Sequence, residues 1–366
     1  MRWSSKRWSL ALLAVMVPAL APTAANAAAH RTVGPGQSIQ DAIDAAAPGD
    51  TVVVKAGTYR ENLEITKDGI TLRGRGARLE APATPTPRRC STVFNRPANP
   101  YGICVAGDID PVTRNVIRPV AGVTIDGFTI GTFAEDGIIV YGADRTAIRN
   151  SDVAGGAGDS GYSILIARSS RSTVVGNRVH GAGGAGIYIG SSPEAQATIS
   201  GNVAFNSGSF GIMVRDAVSG TVENNLTYGN CMGIGFVDGF SAGTAEGWTA
   251  RNNVAVRNTA VCPGSGGDPD VSGVGILLAG AKNIEVRSNL VTGNVAASAN
   301  VPYAGGVVLA SGAVFGGTDL PTDNVVTGNT VIGNQPFDLN LVEVGTGNTI
   351  RKNTCTSGSQ PGLCRR

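Results

Sequence analysis

Histidine is nearly missing: His30 and His180 are the only two in 366 residues. There is no Cys-x-x-Cys either, so a zinc site has too few ligands to assemble. The apolar run Leu10 to Val17 falls well short of the roughly 20 residues that a spanning helix needs, and no later run is longer. Charge is scarce, at 15% of residues, and it is balanced. Setting aside Arg2, Lys6 and Arg7 leaves 26 of the 29 basic residues against 27 acidic ones. That balance provides no electrostatic footprint for nucleic acid and none for an anionic membrane surface. Apolar spacing of three and four, the mark of a helix, is absent from the body of the chain.

What is present is repetition. The stretch Ile199 to Val214 runs from an aliphatic residue to Asn202, a short apolar run, a glycine-bearing turn and then Gly-Ile-x-aliphatic. The same skeleton returns around Asn177, Asn225, Asn253, Asn289, Asn329 and Asn353, with Ser151 and Phe128 at the asparagine position of earlier copies. Anchors fall at 128, 151, 177, 202 and 225, a period of 23 to 26 residues. Such a period denotes a solenoid, a propeller or an array. Within each unit apolar residues alternate, as in Ile187 and Ile189 or Ile212 and Val214, which is the strand period. Glycine, at 52 residues, is about twice its usual share, as frequent turns require. The asparagine suits a sharp left-handed turn and can pass side-chain hydrogen bonds from coil to coil.

These features predict a single all-β domain, a parallel β-helix of about ten coils, with three strands in each and parallel pairing between coils. The chain resembles the right-handed parallel β-helix proteins of the pectate-lyase-like superfamily from about residue 28 to the end. Ahead of the first coil, Ser38 is an N-cap and Ile39, Ala42, Ile43 and Ala46 share a helical face before Pro48-Gly49, so a capping helix is expected over 38–47. Irregular insertions are expected at 80–120, 256–274 and 292–305. Arg2, Lys6 and Arg7, the apolar middle and Ala25-Asn26-Ala27 read as a signal peptide over 1–27, which makes the protein secreted. Six cysteines in an exported chain read as disulfides between sequence neighbours: Cys90 with Cys104, Cys231 with Cys262, Cys355 with Cys364. A soluble monomer is expected.

In the superfamily it resembles, polysaccharide lies along the outer face of one sheet, and here the Gly-Ile-x-Ile strands are that sheet. Alternation then puts Ile139, Leu165, Tyr188, Met213, Gly235, Leu277 and Val308 in one outward column, with Arg215 in the next. Tyr162, His180, Tyr188 and Arg215 are the catalytic candidates. A tyrosine or histidine beside an arginine could remove the proton α to a uronate carboxyl group, the first step shared by β-elimination and C5-epimerisation. The plain alternative is a surface histidine in a glycine-rich turn. Asp216 and Asp238, one coil apart and near Asp268 and Asp270, could hold calcium, the one cofactor suggested; glycine, serine and aspartate at such positions also simply suit a turn. The Asn-Thr-Asp, Asp-Asp and Gly-His-Gly signatures of polygalacturonase-like hydrolases are absent. So are the Arg-x-Pro-x-x-Arg of pectate lyases and the Tyr-Gly-Phe-Asp-Pro-His of alginate epimerases. Two functions remain: a lyase or epimerase acting on extracellular acidic polysaccharide, or a non-catalytic β-helix that binds glycan or cell-wall material.

Overall fold

The computed structural model describes residues 1, 28–94, 100–158, 161–239, 243, 245–264, 270–298, 301 and 303–364. The leader read over 1–27, Met1 apart, lies outside these residues, as does Asp268.

One coil shows how the sequence makes the fold. Thr173–Val175 runs in a first sheet, A; Arg178–His180 follows in sheet B; Ile187–Ser192 lies in sheet C. The chain then returns to sheet A at Ala197–Ser200, pairing Thr173 with Thr198 in parallel. Val174, Val179, Ile187 and Ile189 point inward and are buried, because alternate residues of a strand face opposite sides. Sheet B alone stacks eleven parallel strands, from Gly57–Arg60 to Thr354–Cys355. Inward residues of all three sheets form one continuous apolar core from Val33 to Leu339.

The asparagine positions form a ladder between sheets A and B. Asn202 Oδ1 accepts from Asn177 N at 2.9 Å, Asn225 Oδ1 from Asn202 N at 2.9 Å, and Asn253 Oδ1 from Asn225 N at 3.0 Å. It continues through Asn289, Asn329 and Asn353, and Ser151 and Phe128 occupy its first steps. The left-handed bend, however, belongs to the residue before the ladder. Asn150, Asn224 and Asn252 have φ of 51°, 56° and 55°, and Gly176 and Gly201 fill the same position. The bend residue points out to solvent, whereas the next one faces the interior and spends its amide on neighbouring coils.

Helix α1 (Ile39–Ala45) starts at Ser38, whose side chain accepts from Asp41 N, and buries Ile39 and Ile43 against the first coils. Residues 80–120 are less irregular than expected: Ile103–Ala106 is a full sheet C strand paired with Leu63–Ile65 and Ile138–Tyr141. Around it lie a short helix, Arg89–Val93, and an antiparallel pair, Asp108–Ile109 with Val116–Arg118. All three sequence-neighbour disulfides are formed, with Cα separations of 6.0, 5.8 and 5.3 Å.

Candidate functional site

Sheet C carries the outward columns in the expected register: Leu165 pairs with Tyr188, Tyr188 with Met213 and Met213 with Gly235, while Gly190 pairs with Arg215. The outer face is not the open surface that alternation alone suggests. On the N-terminal side Ile139 and Tyr141 are covered by Cys90, Val93 and Tyr101 of the disulfide-closed excursion. On the C-terminal side Leu277, Val308 and Ala310 are buried in a cluster against which Val271, Tyr303 and Phe315 pack. Apolar loops over an apolar outward column remove both from water, which favours the covered arrangement.

Tyr162 and Tyr188 stand at the seam between these two covers and pack against both. Their rings lie 4.8 Å apart at 33°. Tyr188 leans along its own strand over Gly190, where any side chain would meet its ring. That close approach carries the phenol toward Arg215 on the next coil. Arg215 Nη2 donates to the carbonyl of Phe315 at 2.9 Å, tying the last covering loop to this point. Tyr162 N donates to Asp136 Oδ1 at 2.7 Å.

Burial pushes the Tyr188 phenol up to about 12; Arg215 opposes the shift and Asp216 adds to it. Burial likewise raises Tyr162 well above the ordinary tyrosine value, reinforced by Tyr188 and Asp136. Both phenols are therefore protonated throughout the neutral range: they can donate a hydrogen bond or a proton, but they cannot take one up.

His180 does not join this cluster. It ends a sheet B strand, its Nε2 is 3.0 Å from Asp152 Oδ1, and its ring stacks on Phe205 at 5.2 Å. Sequence order places it just before Tyr188, but the intervening turn carries the chain from one sheet to another. Asp136, next to Tyr162, was missed by the sequence reading; its signal was an acidic pair, Glu135-Asp136, directly before the repeat's Gly137-Ile138.

The acidic positions serve the turns. Asp216 has φ of 50°, and its column neighbours Gly142, Arg168 and Ser191 have 64°, 47° and 47°, so the column is a left-handed corner. Asp216 Oδ1 accepts from Gly239 N at 2.7 Å. Asp238 Oδ2 accepts from both Thr318 N and Asp319 N at 2.9 Å, and the Lys282 ammonium is an electrostatic neighbour of Asp238. Asp270 Oδ1 accepts from Gly264 N. Oxygens bound to N–H donors beside an ammonium are a poor fit for calcium. Among the described residues no group of three or more His, Cys, Asp or Glu could hold a metal ion.

A three-sheeted solenoid with loops gathered over one sheet defines the class: a parallel β-helix. The model described as the right handed beta helix region matches residues 136–319, about half of the chain, and the protein belongs to that family. No curated protein matches it. Among solved structures, the periplasmic alginate epimerase AlgG is similar with a TM-score of 0.58 at 13% identity, over 90% of this chain and 84% of that one. The family 28 exopolygalacturonase of Yersinia enterocolitica gives 0.55 at 15%, over 90% of this chain and 77% of its own. The A-module of the Azotobacter vinelandii mannuronan C-5 epimerase AlgE4 gives 0.51 at 15%, over 88% and 95%. At such identities the likeness is one of fold.

Proposed function

We propose that this is an exported β-helix protein that binds acidic extracellular polysaccharide at the Tyr162, Tyr188 and Arg215 cluster. The observation that carries the reading is a guanidinium beside two protonated phenols, drawn from three consecutive coils. A guanidinium pairs with a uronate carboxylate, and the phenols donate to ring or hydroxyl oxygens. The three disulfides support export, and the fold shared with alginate epimerases and an exopolygalacturonase supports a polysaccharide ligand.

Binding is favoured over turnover. Elimination and epimerisation both begin with removal of a proton; of the bases expected from sequence, His180 sits on sheet B and the buried tyrosines hold their protons. A second reading, a uronate lyase or C5-epimerase, draws on Asp136 and Asp216, the carboxylates that act on the two phenols. In that reading a carboxylate takes the proton, Arg215 stabilises the enolate-like anion and a phenol returns a proton. Calcium has no step in either. The test is a panel of uronate polymers, read by affinity, by absorbance of unsaturated products and by NMR of epimerised residues. Binding without product supports the first reading, and product of either kind supports the second. No interaction with any uronate removes both.

A further inference from the structure

The outer face of sheet B changes character along the rod. Over five consecutive strands, Val203–Phe205, Leu226–Tyr228, Val254–Val256, Leu290–Thr292 and Thr330–Ile332, the middle residue points inward and the outer two point out. One outward column reads Val203, Leu226, Val254, Leu290, Thr330; the other reads Phe205, Tyr228, Val256, Thr292, Ile332. Eight of these ten are apolar or aromatic, and none is charged. Leu290 and Ile332 are 39% and 38% exposed, whereas Phe205, at the N-terminal end of the strip, is buried beneath the His180 ring and the Arg178 guanidinium. The ten outward positions of sheet A in the same coils, Thr198 and Ser200 to Val325 and Thr327, include one apolar residue, Val325. Strand propensity acts equally on both sheets, so it does not explain the contrast.

We propose that this face of sheet B is a binding track for an extended, uncharged polysaccharide chain lying along the helix axis, separate from the charged cluster on sheet C. The shape selects the occupant. Five strands at about 4.8 Å and two outward columns give a strip roughly 20 Å long and 10 Å wide. Two copies packed face to face would bury on the order of 400 Å², well below the roughly 1,000 Å² of a stable protein interface. A single glycan chain is narrow enough to lie within the strip and long enough to touch every coil, so weak contacts add up along it. Its C–H faces match valine and leucine, and its hydroxyls find Thr292, Thr330 and the Tyr228 phenol at the margins. No residue of these strands offers a cation to an acidic polymer; Arg178, one coil before the first of them, lies over the Phe205 ring at 4.4 Å.

The experiment is retention on microcrystalline cellulose and chitin, with affinity electrophoresis in soluble hydroxyethylcellulose. It compares wild type, Leu290→Asp, Leu226→Thr, and Thr198→Asp as a matched sheet A control. Retention of wild type on at least one neutral polymer, a tenfold loss in Leu290→Asp at unchanged melting temperature, and no loss in Thr198→Asp are expected. If Leu290→Asp melts early, Leu226→Thr decides alone. Retention on none of these polymers, equal loss in the control, or a wild-type dimer in light scattering that Leu290→Asp dissolves would each overturn the proposal. Tyr188→Phe should leave neutral-polymer retention unchanged, so this result and the uronate result fail separately.

Discussion

Replacing Asn225 by leucine removes a side chain that serves three coils at once. Its Oδ1 is the acceptor for Asn202 N at 2.9 Å, and its Nδ2 donates to Ile199 O at 2.9 Å and to Asn253 Oδ1 at 3.0 Å. The site is 1% exposed, so water cannot replace these bonds. In Asn225→Leu the Asn202 N–H loses its acceptor and Ile199 O loses this donor, whereas Asn253 Oδ1 keeps the Asn225 N–H. At about 1 to 3 kcal/mol for each buried group left unsatisfied, the loss should be about 2 to 6 kcal/mol. Asn150 is the comparison. It is exposed, holds φ of 51° and gives one hydrogen bond to Asp126 Oδ1. Asn150→Leu should cost about 1 to 2 kcal/mol, mostly as left-handed strain, and Asn150→Gly should restore it. Chemical denaturation with unfolding midpoints and slopes compared across the variants is the assay. Equal losses at the two positions, or a loss at Asn225 below about 1 kcal/mol, would refute the division between a bend residue and a ladder residue.

Non-reducing peptide mapping should recover only the sequence-neighbour disulfides, and opening Cys231–Cys262 should cost about 3 kcal/mol. Ultraviolet titration should show Tyr188 ionising near 12. Because the folded phenol holds its proton longer than the unfolded one, stability should fall as pH rises from the ordinary tyrosine value toward 12, and Tyr188→Phe should flatten that slope. At the acid end, burial pushes Asp338 up, but hydrogen bonds from Asn334 and Thr356 outweigh it and hold the carboxyl below its usual range. Its contribution is thus present above the ordinary carboxylate value and lost as pH falls through the lowered one. Asp338→Asn should therefore show a shallower loss of stability below about pH 4.

Fold was legible because it is written in spacing. Asn202 and Asn225 recur at the coil period and the alternating Ile187 and Ile189 give the inward face, so register could be counted without coordinates. A second ladder was equally countable yet overlooked. Asn230, Asn258, Asn294 and Asn334 each follow a first-ladder asparagine by five residues and pass bonds from coil to coil. The left-handed residue was placed one position late because asparagine tolerates that conformation wherever it occurs. The site was less legible. Alternation says that Leu277 points outward, but not that a loop carrying Phe315 folds back over it through Arg215. His180 lies eight residues before Tyr188, and a short sequence separation across a corner does not reveal that the two residues face different sides of the solenoid.

Under the proposed function, Arg215 and the two phenols hold a uronate chain. The direct measurement is calorimetric titration of uronate oligomers into wild type, Tyr188→Phe and Arg215→Lys, with melting temperatures alongside. Removing one neutral hydrogen bond should weaken binding roughly fivefold, and exchanging the planar guanidinium for a point charge should weaken it more, both with folding intact. Wild-type affinity unchanged in both variants, or no heat with any uronate oligomer, would contradict the account.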